Sequence, residues 1–311
     1  MKVFILSAMV FFSSLYSEEK IAQANGIEIC YETFGDKNDP AFLLIMGACG
    51  QGIAWESPFC EKLASHGFYV IRYDQRDSGR STCIDYAMNP YDFSDMAEDA
   101  AGLLDALEIP NAHVFGLSMG GTIGEFLAVQ HPEKVLSLGM MGSQFDFRPL
   151  NLARAGLPPE PDLLAGPKAS YIQAVTEIYK QPGTTHEEKV EQQFQIWMLI
   201  NGPDHPLNEA STRDLLRQFF ARSVQIENLK NYRKVFSRSE DDVKNIHYKI
   251  RLPVIIFQGL LDPIVGADHA QAITDAIPGS ECLLIESMGH FPNPYFYNLL
   301  IDGLVRNSRK I

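Results

Sequence analysis

Apolar residues in this chain gather in short unbroken runs: "AFLLIMG", "YVIRYDQR", "HVFGLS", "VLSLGMMG", "PVIIFQG" and "ECLLIES". Continuous runs of this length predict strands buried on both faces, as in a parallel sheet. One earlier stretch, "GIEICYETFGD", alternates instead and predicts a strand ended by Gly35 and Asp36. Helical spacing fills the gaps between runs. "WESPFCEKLASHG" stops at Gly67, "DMAEDAAGLLDALEI" stops before Pro110, "TIGEFLAVQHPE" follows the third buried run, and "ADHAQAITDAIPG" lies between the last two. Strand then helix, repeated, predicts an α/β chain with a mostly parallel, doubly wound sheet.

The alternation breaks over residues 145–245. Prolines and glycines ("GLPPEPDLLAGP") lead into helical stretches, "ASYIQAVTEIYK", "EEKVEQQFQIWMLI" and "EASTRDLLRQFFAR", with no strong strand run. The pattern predicts a core of residues 21–144 and 246–311, interrupted by a helical insertion over the edge where the strands end. Ligands bind at that edge in open α/β sheets, so the insertion reads as a lid. A separate helical domain with no role at the site is the alternative. The C-terminal "RNSRKI" reads as a solvated basic end.

Residues 1–20 read as a signal peptide or an N-terminal extension. Lys2 is followed by an apolar stretch from Val3 to Phe12 and then by serines. That stretch is shorter than the roughly 20 residues needed to span a bilayer. Removal of the segment predicts an exported protein, a plain extension a cytoplasmic one, and retention a membrane contact. Apolar residues at 46% allow a substantial core. The net charge of −13 argues against nucleic acid and anionic lipid, and leaves neutral or cationic small molecules as ligands. No stable protein partner is implied. Cys30, Cys49, Cys60, Cys83 and Cys282 form no CxxC or zinc spacing, which predicts small buried hydrophobes and no metal.

The chemistry centres on "HVFGLSMGGTIG". Gly116-Leu117-Ser118-Met119-Gly120 is a G-x-S-x-G between a strand and a helix, the pattern of a nucleophile elbow. Flanking glycines let strand and helix backbones approach, lifting the Ser118 hydroxyl clear of the sheet. A serine hydroxyl needs a base, and the base needs an orienting acid. Asp262 follows one late strand and His290 the next, so both fall at the strand-end edge with Ser118. Asp146 is an alternative acid and His269 an alternative base; the remaining histidines read as structural. The oxyanion donors expected are the amides of Met119, next to the serine, and Ala48, in the glycine-rich loop of "LLIMGACGQG".

Together these residues resemble the α/β-hydrolase superfamily. The likeness covers residues 27–144 and 252–311, and includes "YDQRDSGRS", similar to that family's D-x-R-x-x-G-x-S at Asp74, Arg76, Gly79 and Ser81. This last stretch reads as structural support. The resemblance implies an α/β-hydrolase fold and a cofactor-free serine hydrolase that cleaves a small carboxylic ester through an acyl-enzyme. "IRYDQRDSGRS", "GLSMGG" and "SMGH" are similar to aclacinomycin methylesterase-like serine esterases, which remove a methyl ester from a polyketide. The insertion departs too far for that substrate to be implied, and Met46-Gly47 stands where many members have His-Gly. Phe194, Trp197, Met198, Phe219 and Phe220 suit either a hydrophobic substrate group or the packing of the lid itself. An acyltransferase, a C–C bond hydrolase and a non-catalytic binding protein remain open alternatives.

Overall fold

A computed structural model describes residues 18–311, so the apolar run read as an export signal lies outside the described residues. The eight strands are β1 (Lys20–Ala24), β2 (Ile27–Phe34), β3 (Ala41–Ile45), β4 (Tyr69–Tyr73), β5 (Ala112–Leu117), β6 (Val135–Met141), β7 (Val254–Gly259) and β8 (Glu281–Ile285). They form one sheet in the order β1-β2-β4-β3-β5-β6-β7-β8. β1–β2 and β2–β4 pair antiparallel, and every later pairing is parallel.

The central unbroken runs are buried because both faces of the sheet are covered, whereas "ECLLIES" departs from the expectation: β8 is an edge strand, half-buried with Leu284 exposed. In β3, Leu43 and Ile45 enter one apolar core while Phe42 and Leu44 enter the other. That division follows from side chains alternating across a strand. Helices α2 (Phe93–Ala106), α3 (Met119–Gln130) and α10 (Ala267–Ala276) pack on the first face. Helices α1 (Ser57–Ala64) and α11 (Tyr297–Ser308) pack on the second. The start of α2 is held by a reciprocal cap: Asp92 accepts from the Ser94 amide, and Asp95 accepts from the Asp92 amide at 2.9 Å.

Two terminal readings are corrected. The fold begins before Ile21, because Lys20 opens β1 and Glu19 pairs with Arg80 and Arg222, each at 2.6 Å. The "RNSRKI" end is not simply solvated. Asn307 is buried in α11 and donates to the carbonyls of Leu138 and Pro253, while Arg306 and Lys310 reach out to Glu281.

Between adjacent strands β6 and β7 the chain makes its long excursion. It forms α4 (Arg148–Arg154), α5 (Ala169–Tyr179), α6 (His186–Asn201), α7 (Glu209–Arg222), α8 (Asn231–Arg238) and α9 (Glu240–Ile246). The "YDQRDSGRS" stretch ties this insertion to the core. Buried Asp74 pairs with Arg222 of α7 at 2.8 Å, Asp77 accepts from Asn231 at 3.0 Å, and the Tyr232 hydroxyl donates to the Arg76 carbonyl at 2.6 Å.

His113, early in β5, is buried with its Nδ1 2.8 Å from the Ser137 hydroxyl. Burial pushes its pKa from 6.5 down to about 4. The unfolded chain therefore takes up this proton first as pH falls, and stability drains away between pH 6.5 and about 4. The loss attributable to His113 is on the order of 3 kcal/mol. Thermal unfolding of wild type and His113→Gln across this window should show the gap between them narrowing toward acid. A gap that stays constant contradicts the assignment.

Candidate active site

Ser118 is the single residue between the end of β5 and the start of α3. Its φ of 52° and ψ of −118° lie outside the ordinary regions for an L-residue, a strain of about 1–3 kcal/mol. The neighbouring glycines make this turn possible by absence of a side chain. A Cβ on Gly116 would sit 2.2 Å from the Gly120 carbonyl carbon, and one on Gly120 would sit 2.1 Å from the Ile45 carbonyl oxygen. The serine is pinned to the next strand, its amide donating to the Met141 carbonyl at 2.7 Å. Met119 and Gly120 open α3, so their amides have no carbonyl within the helix to bond and lie at the positive end of its dipole.

The loop after β3 lies against this turn. A Cβ on Gly47 would be 3.4 Å from the Ser118 Cβ, and Ala48 lines the same cavity as the serine. Gln75 donates its side-chain amide to the Met46 carbonyl and fixes the loop from below. The motif stretch thus supports the site as well as the insertion.

Asp262 and His290 come from the turns after β7 and β8. Asp262 Oδ1 accepts the amides of Ile264 and Val265 at 2.7 and 2.9 Å. Its Oδ2 stands 2.6 Å from His290 Nδ1. Both residues are buried. The pair packs over Gly142 at the end of β6, where a Cβ would lie 2.9 Å from His290 Nδ1. The His290 backbone is also held from the insertion, its amide donating to the Ile200 carbonyl at 2.7 Å. Asp262 occupies Nδ1, leaving Nε2 for a second partner.

Ser118 and His290 line one cavity of about 280 Å³. Its far wall comes from the insertion: Tyr171, Ile172, Val175 and Tyr179 of α5, Ile196, Trp197 and Ile200 of α6, and Tyr232, Arg233 and Phe236 of α8. A hydroxyl on a strained turn and a carboxylate-held imidazole thus line one largely apolar cavity, beside the start of α3. That arrangement suits attack on an acyl carbonyl.

A family model described as the alpha/beta hydrolase fold matches residues 40–295. The chain belongs to this family. It is 35% identical over 266 residues to a rhodomycin D methylesterase of Streptomyces sp. (strain C5), covering 83% of this chain and 87% of that one. A rhodomycin D methylesterase of Streptomyces peucetius is 34% identical, with the same coverage of 83% and 87%. Among solved structures, an esterase from Exiguobacterium antarcticum shares the fold with a TM-score of 0.72 at 20% identity, covering 94% of this chain and 100% of that one. The enol-lactonase from Burkholderia xenovorans LB400 does so with a TM-score of 0.71 at 18% identity and coverages of 94% and 100%.

In this hydrolase the alternative residues are engaged elsewhere. Asp146 is forked by Arg148, whose Nε stands 2.8 Å away. His269 accepts from the Phe145 amide and faces the Ala165 carbonyl at 3.0 Å. His247 is locked between Glu125 at 2.5 Å and the Phe145 carbonyl. The aromatics of the insertion divide unevenly. Trp197 lines the cavity, whereas Phe194 and Phe219 are buried among core residues and Phe220 and Met198 pack beside them. The cavity wall of α5 and α8 was not singled out from the sequence, although Tyr171, Ile172, Val175 and Tyr179 make a helical stripe. The cysteines also differ from the expected buried set. Cys30 and Cys60 are buried, Cys83 and Cys282 are half-buried, and Cys49 opens onto the cavity with a φ of 61°. Enclosure pushes the Cys49 thiol above its ordinary pKa, against the opposing pull of Arg154 and Arg233, so it is a poor thiolate.

Proposed function

We infer that this hydrolase cleaves a carboxylic ester of a small molecule through a covalent acyl-enzyme on Ser118. Ester hydrolysis itself comes with its relatives, two methylesterases that cover most of both chains. The observation that carries the finer reading is the 2.6 Å contact between His290 and Asp262 in the cavity that Ser118 also lines. His290 Nε2 takes the Ser118 proton as Oγ attacks the ester carbonyl. Asp262 holds the ring and stabilises the imidazolium. The tetrahedral oxyanion falls to the amides of Ala48 and Met119, each worth about 3 kcal/mol in the barrier. Collapse breaks the ester C–O bond, and the departing alcohol leaves with the proton from His290. Water then attacks the acyl-serine by the same route and restores the enzyme. None of these steps requires a cofactor.

The insertion acts as a lid that shapes the substrate space, and the relatives make a methyl ester the first class to test. Export, with removal of the N-terminal segment, belongs to the same proposal; N-terminal sequencing of native protein tests it. The activity is tested by offering methyl esters of increasing acyl length, with and without an added alcohol. Acid and methanol released in equal amounts support the reading. Transfer of the acyl group to the added alcohol in preference to water would make this an acyltransferase instead.

A further inference from the structure

We propose that the ester taken by this hydrolase carries a second group, a carboxylate, which Arg154 and Arg233 bind in the wall of the active cavity. The proposal rests on the Ser118 reading, since it names the substrate class of that same site. Both arginines line the cavity that holds Ser118 and His290, Arg154 from the last turn of α4 and Arg233 from the start of α8. No aspartate, glutamate or lysine lines it. Apart from His290, every ionisable group there that is charged at neutral pH is cationic.

This is against the composition. The chain holds 39 acidic residues and 26 lysines and arginines, so carboxylates are in surplus. Other arginines find them, from buried Arg72 on Glu32 and Arg76 on Asp99 to exposed Arg217 on Glu187. Arg154 and Arg233 have no carboxylate partner and no hydrogen-bond acceptor among the described residues. Arg154 is steadied instead by the ring of Phe236, 4.8 Å from its guanidinium carbon. Both arginines are exposed where the cavity opens; the protein packed around Arg154 and the like charge of Arg233 lower its pKa, partly offset by Cys49. Two cations held in one wall repel each other, and a bound anion relieves that repulsion.

The chemistry selects a carboxylate. A guanidinium matches a carboxylate through two parallel N–H donors. Ile172, Val175 and Ile196 between the polar ends suit an aliphatic or aromatic spacer. Hydrolysis then converts an ester–carboxylate to a dicarboxylate, with release of the alcohol and one proton. The proposal departs from the sequence-based expectation of neutral or cationic ligands, because overall charge governs the far field and the lining sets the sign inside the cavity.

The test compares monomethyl esters of straight-chain dicarboxylic acids with methyl esters of monocarboxylic acids of equal length. The readout is the ratio of kcat/KM for the anionic ester over its neutral partner. Wild type should favour the anionic ester by about tenfold or more at the best length, and each of Arg154→Gln and Arg233→Gln should cut that ratio by on the order of tenfold. Arg233→Lys should keep part of it. A wild-type ratio near one, or a ratio unmoved in both glutamine variants, overturns the proposal while turnover of the neutral esters leaves the Ser118 reading in place. Calorimetric titration of Ser118→Ala with monomethyl glutarate separates binding from chemistry. Should no ester be turned over, arginine-dependent binding in this titration sustains the carboxylate site alone, and its absence overturns the site as well.

Discussion

Replacing Ser118 with alanine is expected to lower kcat for a methyl ester by on the order of 10⁴- to 10⁶-fold. The substitution keeps the Cβ, so the strained turn and its close approach to Gly47 are unchanged. The hydrogen bond from the Ser118 amide to the Met141 carbonyl is a backbone contact and also survives. Only Oγ is lost, and with it the acyl-enzyme. Helix-start and loop amides remain to polarise a bound ester, so a residual rate above that in water is expected. Cys49 is the other nucleophile in the cavity, but its raised pKa keeps it protonated at neutral pH. Steady-state kinetics on wild type and variant check this. A variant that retains the wild-type rate places the chemistry on another residue.

Asp262→Asn should be nearly as damaging, with kcat reduced on the order of 10⁴-fold and the fold intact. The reason lies in the two backbone amides that Oδ1 already accepts, from Ile264 and Val265. An asparagine must keep its oxygen toward those amides, which turns its NH₂ toward His290 Nδ1. That nitrogen then has to accept rather than donate, and the ring proton moves to Nε2. A protonated Nε2 cannot take the serine proton. The expected signature is a collapse of kcat with little change in KM, and a thermal unfolding midpoint close to wild type. A loss below tenfold would mean that the carboxylate at 262 does not set the tautomer. Asp146 is not placed to substitute for it, being committed to Arg148.

The sequence carried the sheet and the placement of the three candidate residues for a physical reason. Strands β3, β5 and β7 are buried along their whole length, so their apolar runs are continuous and easy to see. Ser118 and Asp262 follow buried strands and His290 follows the half-buried edge strand β8, and parallel strands bring all such ends to one edge. β1 was not visible, because "KIAQA" is an edge strand that buries only Ala22 and Ala24. The burial of Asn307 was equally hidden: a polar side chain gives no hint in sequence that the carbonyls of Leu138 and Pro253 lie within its reach. In the insertion, aromatic content pointed to Phe194 and Phe219, which pack inward, while α5 supplies much of the wall. Helical periodicity shows that a stripe exists but not what it faces. Arg154 and Arg233 lie on different helices and meet only through the folding of the insertion over the sheet edge.

Labelling with a fluorophosphonate tests the central claim most directly. Wild-type protein should form one covalent adduct, found by mass spectrometry of its peptides at Ser118, and His290→Ala should label far more slowly. An adduct at any other residue, or equal labelling of Ser118→Ala, would contradict an activated hydroxyl at this turn.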